Sequence, residues 1–516
     1  MSSRGGNRKS KWLYIFVVAA MMGLLATGVS AESAVGFHGY FESNMVMRDQ
    51  NGIQYGFLDH LNGVQQRNTL KFDVSINPDL KGEDFAVQKF QITFRGAYDS
   101  IFDLRANKYG DITENIGASR FDYGLKDIRF ESDLREAFID FTYGGPLGSA
   151  FFRPGRQLVS WGESSANATL LDVICPKDQS YQLFFQNPDD VAIPLWMARL
   201  NYSAPPIGGL RLNLDLLWVP DIRPSQFGPL DSVALNPTAG MNAPYVSILP
   251  FAAFRGLDVR QDVPTNKQEY GAKLTADIGL LSLSMAYYRD VNNDPATVLT
   301  DFITIPGVGM IPTKALLTHP TQDVYGAYFS YQISPLDLVL RGEIAQHSNQ
   351  PVTLAVPELK TLAPMSLATY RMKPVTLYMV AIDKNIYVRW ITSHEPIGFS
   401  LEWIHQKINS WDSAFNHPEA SKAGSPVRDM DIIGFNMSWS WWQGRISPLI
   451  AAAYNPGRSG AGGGSGYIHP TVSWQISSNL YANMGLHAFL GDKTAKSGFA
   501  GLVGTSELTL KMGYEW

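Results

Sequence analysis

The feature that most constrains this chain is a hydrophobic period of two that recurs along its length and is sharpest at the end. The last ten residues, ELTLKMGYEW, place Leu508, Leu510, Met512, Tyr514 and Trp516 on one side of an extended strand. Glu507, Thr509, Lys511, Gly513 and Glu515 fall on the other. An all-apolar face opposite a polar one, closing on an aromatic, suits a strand with lipid outside and a watery lumen inside. The ending also resembles the C-terminal signal that barrel-assembly machinery reads, which would be carried by Met512, Tyr514 and Trp516.

The same alternation appears upstream. Leu210, Leu212, Leu214, Leu216 and Trp218 oppose Arg211, Asn213 and Asp215. Ala272, Leu274, Ala276 and Ile278 oppose Lys273, Thr275 and Asp277. Leu70, Phe72, Val74 and Ile76 oppose Lys71, Asp73 and Ser75, and Val472, Trp474 and Ile476 oppose Thr471, Ser473 and Gln475. Each such segment has about the length that a tilted strand needs to cross a bilayer. Placing strands on these patterns gives gaps that alternate between short and long for most of the chain. Short ones include 144–148, 204–207, 394–396 and single residues such as Gly279 and Ser334; long ones are 99–132, 161–195, 220–267, 291–321, 348–383 and 409–429. That parity is expected of an antiparallel up-and-down transmembrane β-barrel with short periplasmic turns, long outer loops and both termini in the periplasm. The count is about 18 strands, with 16 as the rival. The two counts differ over the first strands and 196–203. Residues 384–393 are assigned as the strand that follows the loop 348–383.

The N-terminus carries Arg4, Arg8, Lys9 and Lys11, then an apolar stretch from Trp12 to Leu25, then Val29-Ser30-Ala31. That order is expected of a secretory signal peptide over 1–31, an uncleaved anchor being the alternative. A lipoprotein is not expected, because no cysteine follows the cleavage site. Residues 32–516 then form a single barrel in the outer membrane of a Gram-negative bacterium. Without the four basic residues of the signal the formal charge moves from −5 to −9, modest for 516 residues, and no basic footprint for nucleic acid is present. Cys175 is the only cysteine, so no intramolecular disulfide can form; it is either a buried thiol or a reactive one. No G-x-S-x-G elbow, H-E-x-x-H helix or Cys/His metal spacing is present, so no enzyme, metal or cofactor is expected. A lipase-type site, built from Ser and His on the lipid face of a barrel, is the one enzymatic alternative.

Two regions could carry function. The outer loops are apolar and Pro-rich: FITIPGVGMIPTKALL lies in 291–321, PVTLAVPELKTLAPM and PVTLYMVAI in 348–383, and SVALNP and YVSILPFAAF in 220–267. Such loops should cover or bind something. Three readings stand: a greasy vestibule folded over or into the pore, a rigid cap of loops packed on one another, or a missed strand. The first motivates an expectation of hydrophobic or amphipathic small-molecule cargo.

The second region is FFRPGRQLVSWGESSANATLLDVICPKDQ. Arg153, Gly155, Arg156, Gln157, Ser160, Trp161, Gly162, Glu163 and Ser164 match an R-x-G-R-Q-x-x-S-W-G-E-S signature. It resembles the signature of a proteobacterial outer-membrane family known as domain of unknown function 1302. Asp172-Val173-Ile174, Pro176 and Asp178 resemble its N-V-I-N-P-x-D continuation, with Asp172 and Cys175 where the pattern has Asn. The resemblance implies a barrel linked to envelope export or lipid-related transport partners, and it implies no assigned substrate.

In a regular strand Arg153 and Arg156 would face opposite sides, and Pro154-Gly155 suggests a bulge that re-aims one of them. An arginine facing lipid at the midplane would cost about 2–4 kcal/mol, so both are expected to reach the lumen or the interface. Glu163 is the expected partner of Arg156. Arg153, Arg156, Trp161 and Glu163 would then build a constriction, or else a salt-bridge cluster that pins an inward-folded loop. Arg341 and Glu343 share one face of a later strand and are expected to form an ion pair on the lumen wall.

Overall fold

A computed structural model describes residues 35–49, 61–78, 80–104, 130–164, 170–179, 188–227, 258–306, 309–354, 366–392, 395–415, 426–457, 463–492, 499, 503 and 506–516. The signal segment 1–31, the loop stretches SVALNP and YVSILPFAAF, and most of PVTLAVPELKTLAPM lie outside these residues.

Eighteen antiparallel strands close into one barrel. In chain order they are β1 (Val35–Asp49), β2 (Leu61–Ile76), β3 (Phe85–Asp99), β4 (Phe130–Gly145), β5 (Gly148–Gln157), β6 (Leu195–Ser203), β7 (Leu210–Val219), β8 (Glu269–Ile278) and β9 (Leu281–Val291). They continue with β10 (Thr321–Ile333), β11 (Leu338–Thr353), β12 (Tyr370–Ile386), β13 (Ile397–Ile408), β14 (Asp429–Ser438), β15 (Ile446–Asn455), β16 (Ser465–Gln475), β17 (Leu480–Gly491) and β18 (Ser506–Glu515). Each strand pairs with the next, and β1 closes on β18 from Tyr40↔Glu515 to Asp49↔Ser506. Closure leaves no unpaired strand edge, the condition for a sheet to sit in lipid.

Outward rows carry the apolar sets read from the alternation. Leu216, Trp218, Leu274, Met285, Val472, Trp474, Leu510, Met512 and Tyr514 are all exposed on the outer face. In water this belt would be an aggregation surface; against lipid it needs no further partner. Every connection at one end of the barrel, here the turn end, has ten residues or fewer, and all connections longer than that lie at the other, the loop end.

One strand departs from the sequence expectation. The stretch PVTLYMVAI belongs to β12, which spans Tyr370–Ile386, whereas 387–392 is part of the turn that follows. On β12 the inward Val375, Leu377, Met379 and Ala381 are buried and the outward Val380 and Ile382 face out. Both faces are apolar, so the period of two vanishes and the strand resembles a greasy loop.

The described part of the remaining loops, which includes most of FITIPGVGMIPTKALL, forms a small sheet at the loop end. Ala296–Ile305 and Gly309–Thr318 make a hairpin; Asp258–Asp262 adds to it in parallel and Ser366–Ala368 antiparallel, so three loops share one four-stranded sheet. Ala296, Leu299 and Leu317 are buried in it. For PVTLYMVAI the missed-strand reading holds, and for the described part of 291–321 the reading of loops packed on one another does.

Candidate functional site

The main hydrophobic core lies inside the barrel. It joins the segment after β5 to the inner faces of β6 through β13 and includes Val159, Trp161, Leu171, Ile174, Met379 and Phe415. The described parts of the segment 158–194, namely 158–164, 170–179 and 188–194, lie within the bore after the end of β5. They carry the motif singled out above.

Its first limb is held by the far wall. The Glu343 carboxylate on β11 accepts the backbone N–H of Glu163 at 2.7 Å and that of Leu171 at 2.8 Å. Arg341, two residues earlier, donates to the Glu163 carbonyl and pairs with Asp383 of β12 at 2.5 Å. Ser164 Oγ donates to Glu402 of β13 at 2.5 Å, and His347 Nε2 meets the Leu170 carbonyl at 2.9 Å. A carboxylate with two backbone donors satisfies groups that an irregular segment would otherwise bury unpaired, at about 1–3 kcal/mol each. The wall is shaped for this contact. A Cβ on Gly326 of β10 would stand 2.2 Å from Leu171 Cδ2, so only glycine leaves room for that leucine.

Trp161 is 2% exposed. Its Nε1 donates to Asp215 of β7 at 3.1 Å, its ring meets Tyr288 edge-on at 5.9 Å, and the Lys273 ammonium lies 5.6 Å from the ring centroid. Arg199 shares Asp215 at 2.8 Å.

The return limb is held by the opposite wall. Within the helical turn Pro188–Val191, the Asp190 carbonyl accepts Arg95 Nη1 of β3 at 2.7 Å, and Tyr40 of β1 donates to its carboxylate at 3.4 Å. Arg135 of β4 donates to the Ala192 carbonyl at 2.5 Å. In a ring of eighteen strands, β3 and β4 face β12 and β13. The segment is thus anchored on both sides of the bore and bridges it. Its middle is tied to neighbouring loops as well: Asn293 donates to the Val173 carbonyl at 2.6 Å, and Asp178–Gln179 pairs in parallel with Gln226–Phe227.

The anchors on β1 to β6 belong to a band of compensated charge. Arg48 pairs with Glu507 at 2.6 Å, and Glu131 receives both Arg67 and Arg95. Arg153 pairs with Asp140 at 2.5 Å while lying 3.8 Å from the centroid of the Phe138 ring, and Arg156 pairs with Asp133 at 3.0 Å. Each arginine reaches a carboxylate of the wall, so none is left as an unpaired buried charge.

Two expected pairings are replaced. Arg156 takes Asp133 rather than Glu163, because Glu163 is carried across the bore to β11. Arg341 and Glu343 do not pair with each other: Arg341 takes Asp383 and Glu343 takes backbone amides. The register of β5 against β4 and β6 also runs through Pro154-Gly155 without an inserted residue, so there is no bulge. The irregularity there is a φ of +135° at Gly155, where a Cβ would meet the Ala137 carbonyl at 2.3 Å. Asp133, Asp140, Asp215, Asp383 and Glu402 were not singled out from the sequence. Each sits in an inward row, and Asp215 already stood on the polar face of its strand.

Cys175 is buried in this segment, with Sγ 3.5 Å from both the amide and the carbonyl of Val159, and burial pushes its thiol up to about 12. Among the described residues no group of three or more His, Cys, Asp or Glu could hold a metal ion.

Fold and site together define a closed, eighteen-stranded transmembrane β-barrel whose bore is bridged, among the described residues, by the infolded segment after β5. The chain belongs to the family described as protein of unknown function DUF1302, whose model matches residues 40–515. No curated protein matches it. Among solved structures, Acinetobacter baumannii OccAB3 is similar with a TM-score of 0.46 and 7% identity, over 93% of this chain and 99% of that one. Acinetobacter baumannii OccAB1 is similar with a TM-score of 0.46 and 8% identity, over 93% and 96%. Pseudomonas aeruginosa OpdK, solved with vanillate, is similar with a TM-score of 0.46 and 8% identity, over 93% and 98%.

Proposed function

We propose that this protein is an outer-membrane channel for small solutes in which the segment 158–194 forms the constriction. The observation that carries this reading is the two-sided anchoring of the segment, by Glu343 and Glu402 on one wall and by Arg95 and Arg135 on the other. A loop fixed across a bore sets its width and charge, whatever passes. The turn end faces the periplasm with both termini, and β18 with Met512, Tyr514 and Trp516 serves as the assembly signal.

The expectation of hydrophobic or amphipathic cargo rested on apolar loop sequence. Of that sequence, most of FITIPGVGMIPTKALL builds the loop-end sheet and PVTLYMVAI builds β12; the inner faces of β6 to β13 beside the bridge are apolar as well, whereas those of β1 to β5 carry the band of paired arginines and carboxylates. We favour water-soluble cargo, on the strength of that charged band, and a non-enzymatic role. Ion conductance of the purified protein in planar bilayers tests the channel. A barrel that never conducts would instead be a sealed structural or partner-binding station for an envelope export system.

A further inference from the structure

Two neighbouring connections at the turn end carry four of the chain's twelve tryptophans. The first, 387–396, joins β12 to β13 and holds Tyr387 and Trp390, which are 69% and 86% exposed. It is closed on itself, the Val388 carbonyl accepting the amides of Ile391 and Thr392 at 2.9 and 3.0 Å. The second, 439–445, joins β14 to β15 and holds Trp439, Trp441 and Trp442. Trp441 Nε1 donates to the Ile391 carbonyl at 2.7 Å, so the two connections form one edge.

That edge continues the lipid-facing side of the wall. Ile433, Phe435 and Met437 form the outward row of β14; Ile433 is exposed, and Phe435 meets Phe399 of β13 edge-on at 5.2 Å. Trp439 and Trp441 keep the same parity, and their rings meet at 5.8 Å.

The tip of the edge is strained. Trp442 has a φ of +50° and Gln443 one of +58°, a region that bulky side chains avoid. The Trp442 side chain is nevertheless exposed, so no internal packing offsets the strain, and the ring is presented to something outside the chain. Indoles, apolar with one N–H donor, suit the boundary between acyl chains and headgroups. A general belt spreads such rings around the rim, whereas these four are gathered in one sector. Charge is gathered there too. Arg389 and Arg445 are exposed and have no ion pair among the described residues, and Glu395 is the one carboxylate of the two connections. A guanidinium fork matches a phosphate.

We infer that this edge is a binding site for an anionic phospholipid of the adjoining leaflet, with Arg389 and Arg445 on its phosphate and the indoles along its glycerol backbone. The site is independent of whether the barrel conducts.

The test reconstitutes the full barrel in phosphatidylcholine bilayers that contain a small fraction of brominated phosphatidylglycerol or, in parallel, of brominated phosphatidylcholine. Bromine quenches tryptophan fluorescence on contact. Half-quenching of the wild type should need about tenfold less of the anionic lipid than of the neutral one. That preference should vanish in Arg389→Gln/Arg445→Gln and weaken in Trp442→Gly. It should persist in Arg211→Gln, which removes an exposed arginine from the same end of the barrel. Heat-modifiable migration on gels establishes that each variant is folded. Because glycine accepts the positive φ, Trp442→Gly should melt no lower than the wild type. Equal quenching by the two lipids, a preference that survives in the double variant, or an equal loss in Arg211→Gln would overturn the site. So would a lower melting temperature in Trp442→Gly, which would give the ring an internal packing role. A barrel that is dimeric in neutral detergent and monomeric as Trp390→Ser would assign the edge to a second copy instead and overturn the lipid assignment.

Discussion

Glu343 and Glu163 are 180 residues apart in the chain, yet the carboxylate of the first accepts the backbone N–H of the second at 2.7 Å. With Leu171 held by the other oxygen at 2.8 Å, one side chain clamps two points of the bridge. Replacing it by alanine strands two buried amides, a loss of about 2–5 kcal/mol by the cost of unpaired groups. Glu343→Ala should lower the melting temperature and raise single-channel conductance, and Glu343→Gln, which keeps one acceptor, should fall between it and the wild type. Thermal melts and bilayer recordings on the same samples check both.

Arg95 makes the matching contact across the bore, donating to the Asp190 carbonyl while also pairing with Glu131. Arg95→Ala should free the return limb and leave Glu131 with Arg67 alone. The expected result is a larger and noisier conductance with a thermal shift comparable to that of Glu343→Ala, because each removal uncovers a buried charged contact. Quiet wild-type conductance in the variant would contradict the two-sided anchoring.

Cys175 is a built-in reporter. Burial pushes its thiol up to about 12, so at pH 8 almost none of the reactive thiolate is present. A maleimide should leave the folded protein unlabelled, label it promptly in denaturant, and label Glu343→Ala at an intermediate rate. The same shift has a stability consequence. A group whose pKa is higher folded than unfolded contributes fully below its unfolded value and loses that contribution as the pH rises toward the folded one. Stability should therefore decline between about pH 9 and pH 12 in the wild type, and the decline should be shallower in Cys175→Ala, as read by denaturant melts.

Gly155 combines a φ of +135° with an added Cβ distance of 2.3 Å to the Ala137 carbonyl. A side chain there strains the backbone and forces β5 from β4. Gly155→Ala should reduce the yield of heat-modifiable, membrane-inserted barrel severalfold, as judged by gel migration of outer-membrane fractions.

How much of this was legible in the sequence follows from what lines the lumen. On β7, β8 and β18 the inward residues, such as Asp215, Lys273 and Lys511, are polar, so the period of two stands out and the strands read correctly. On β12 the bridge covers Val375, Leu377 and Met379, polarity on the inner face is lost, and the strand merged into its loop. The motif from Arg153 to Ser164 was visible as distinctive because its charged and small residues suit neither a lipid-facing strand nor an exposed loop. Its partners were not visible. Glu343, Glu402 and Asp215 meet it only through the curvature of the closed barrel, Asp133 meets Arg156 across the β4–β5 hairpin, and nearest-neighbour spacing favoured the local pairs Arg156–Glu163 and Arg341–Glu343.

The central claim is that the segment 158–194 bridges the bore and limits flow through it. Its most direct test is the single-channel conductance of the wild type against a variant in which residues 160–190 are replaced by a short Gly-Ser linker, both shown to be folded by heat-modifiable migration. A severalfold rise in conductance without the segment is the result expected of a constriction. Equal conductance in the two, or none in either, would contradict it.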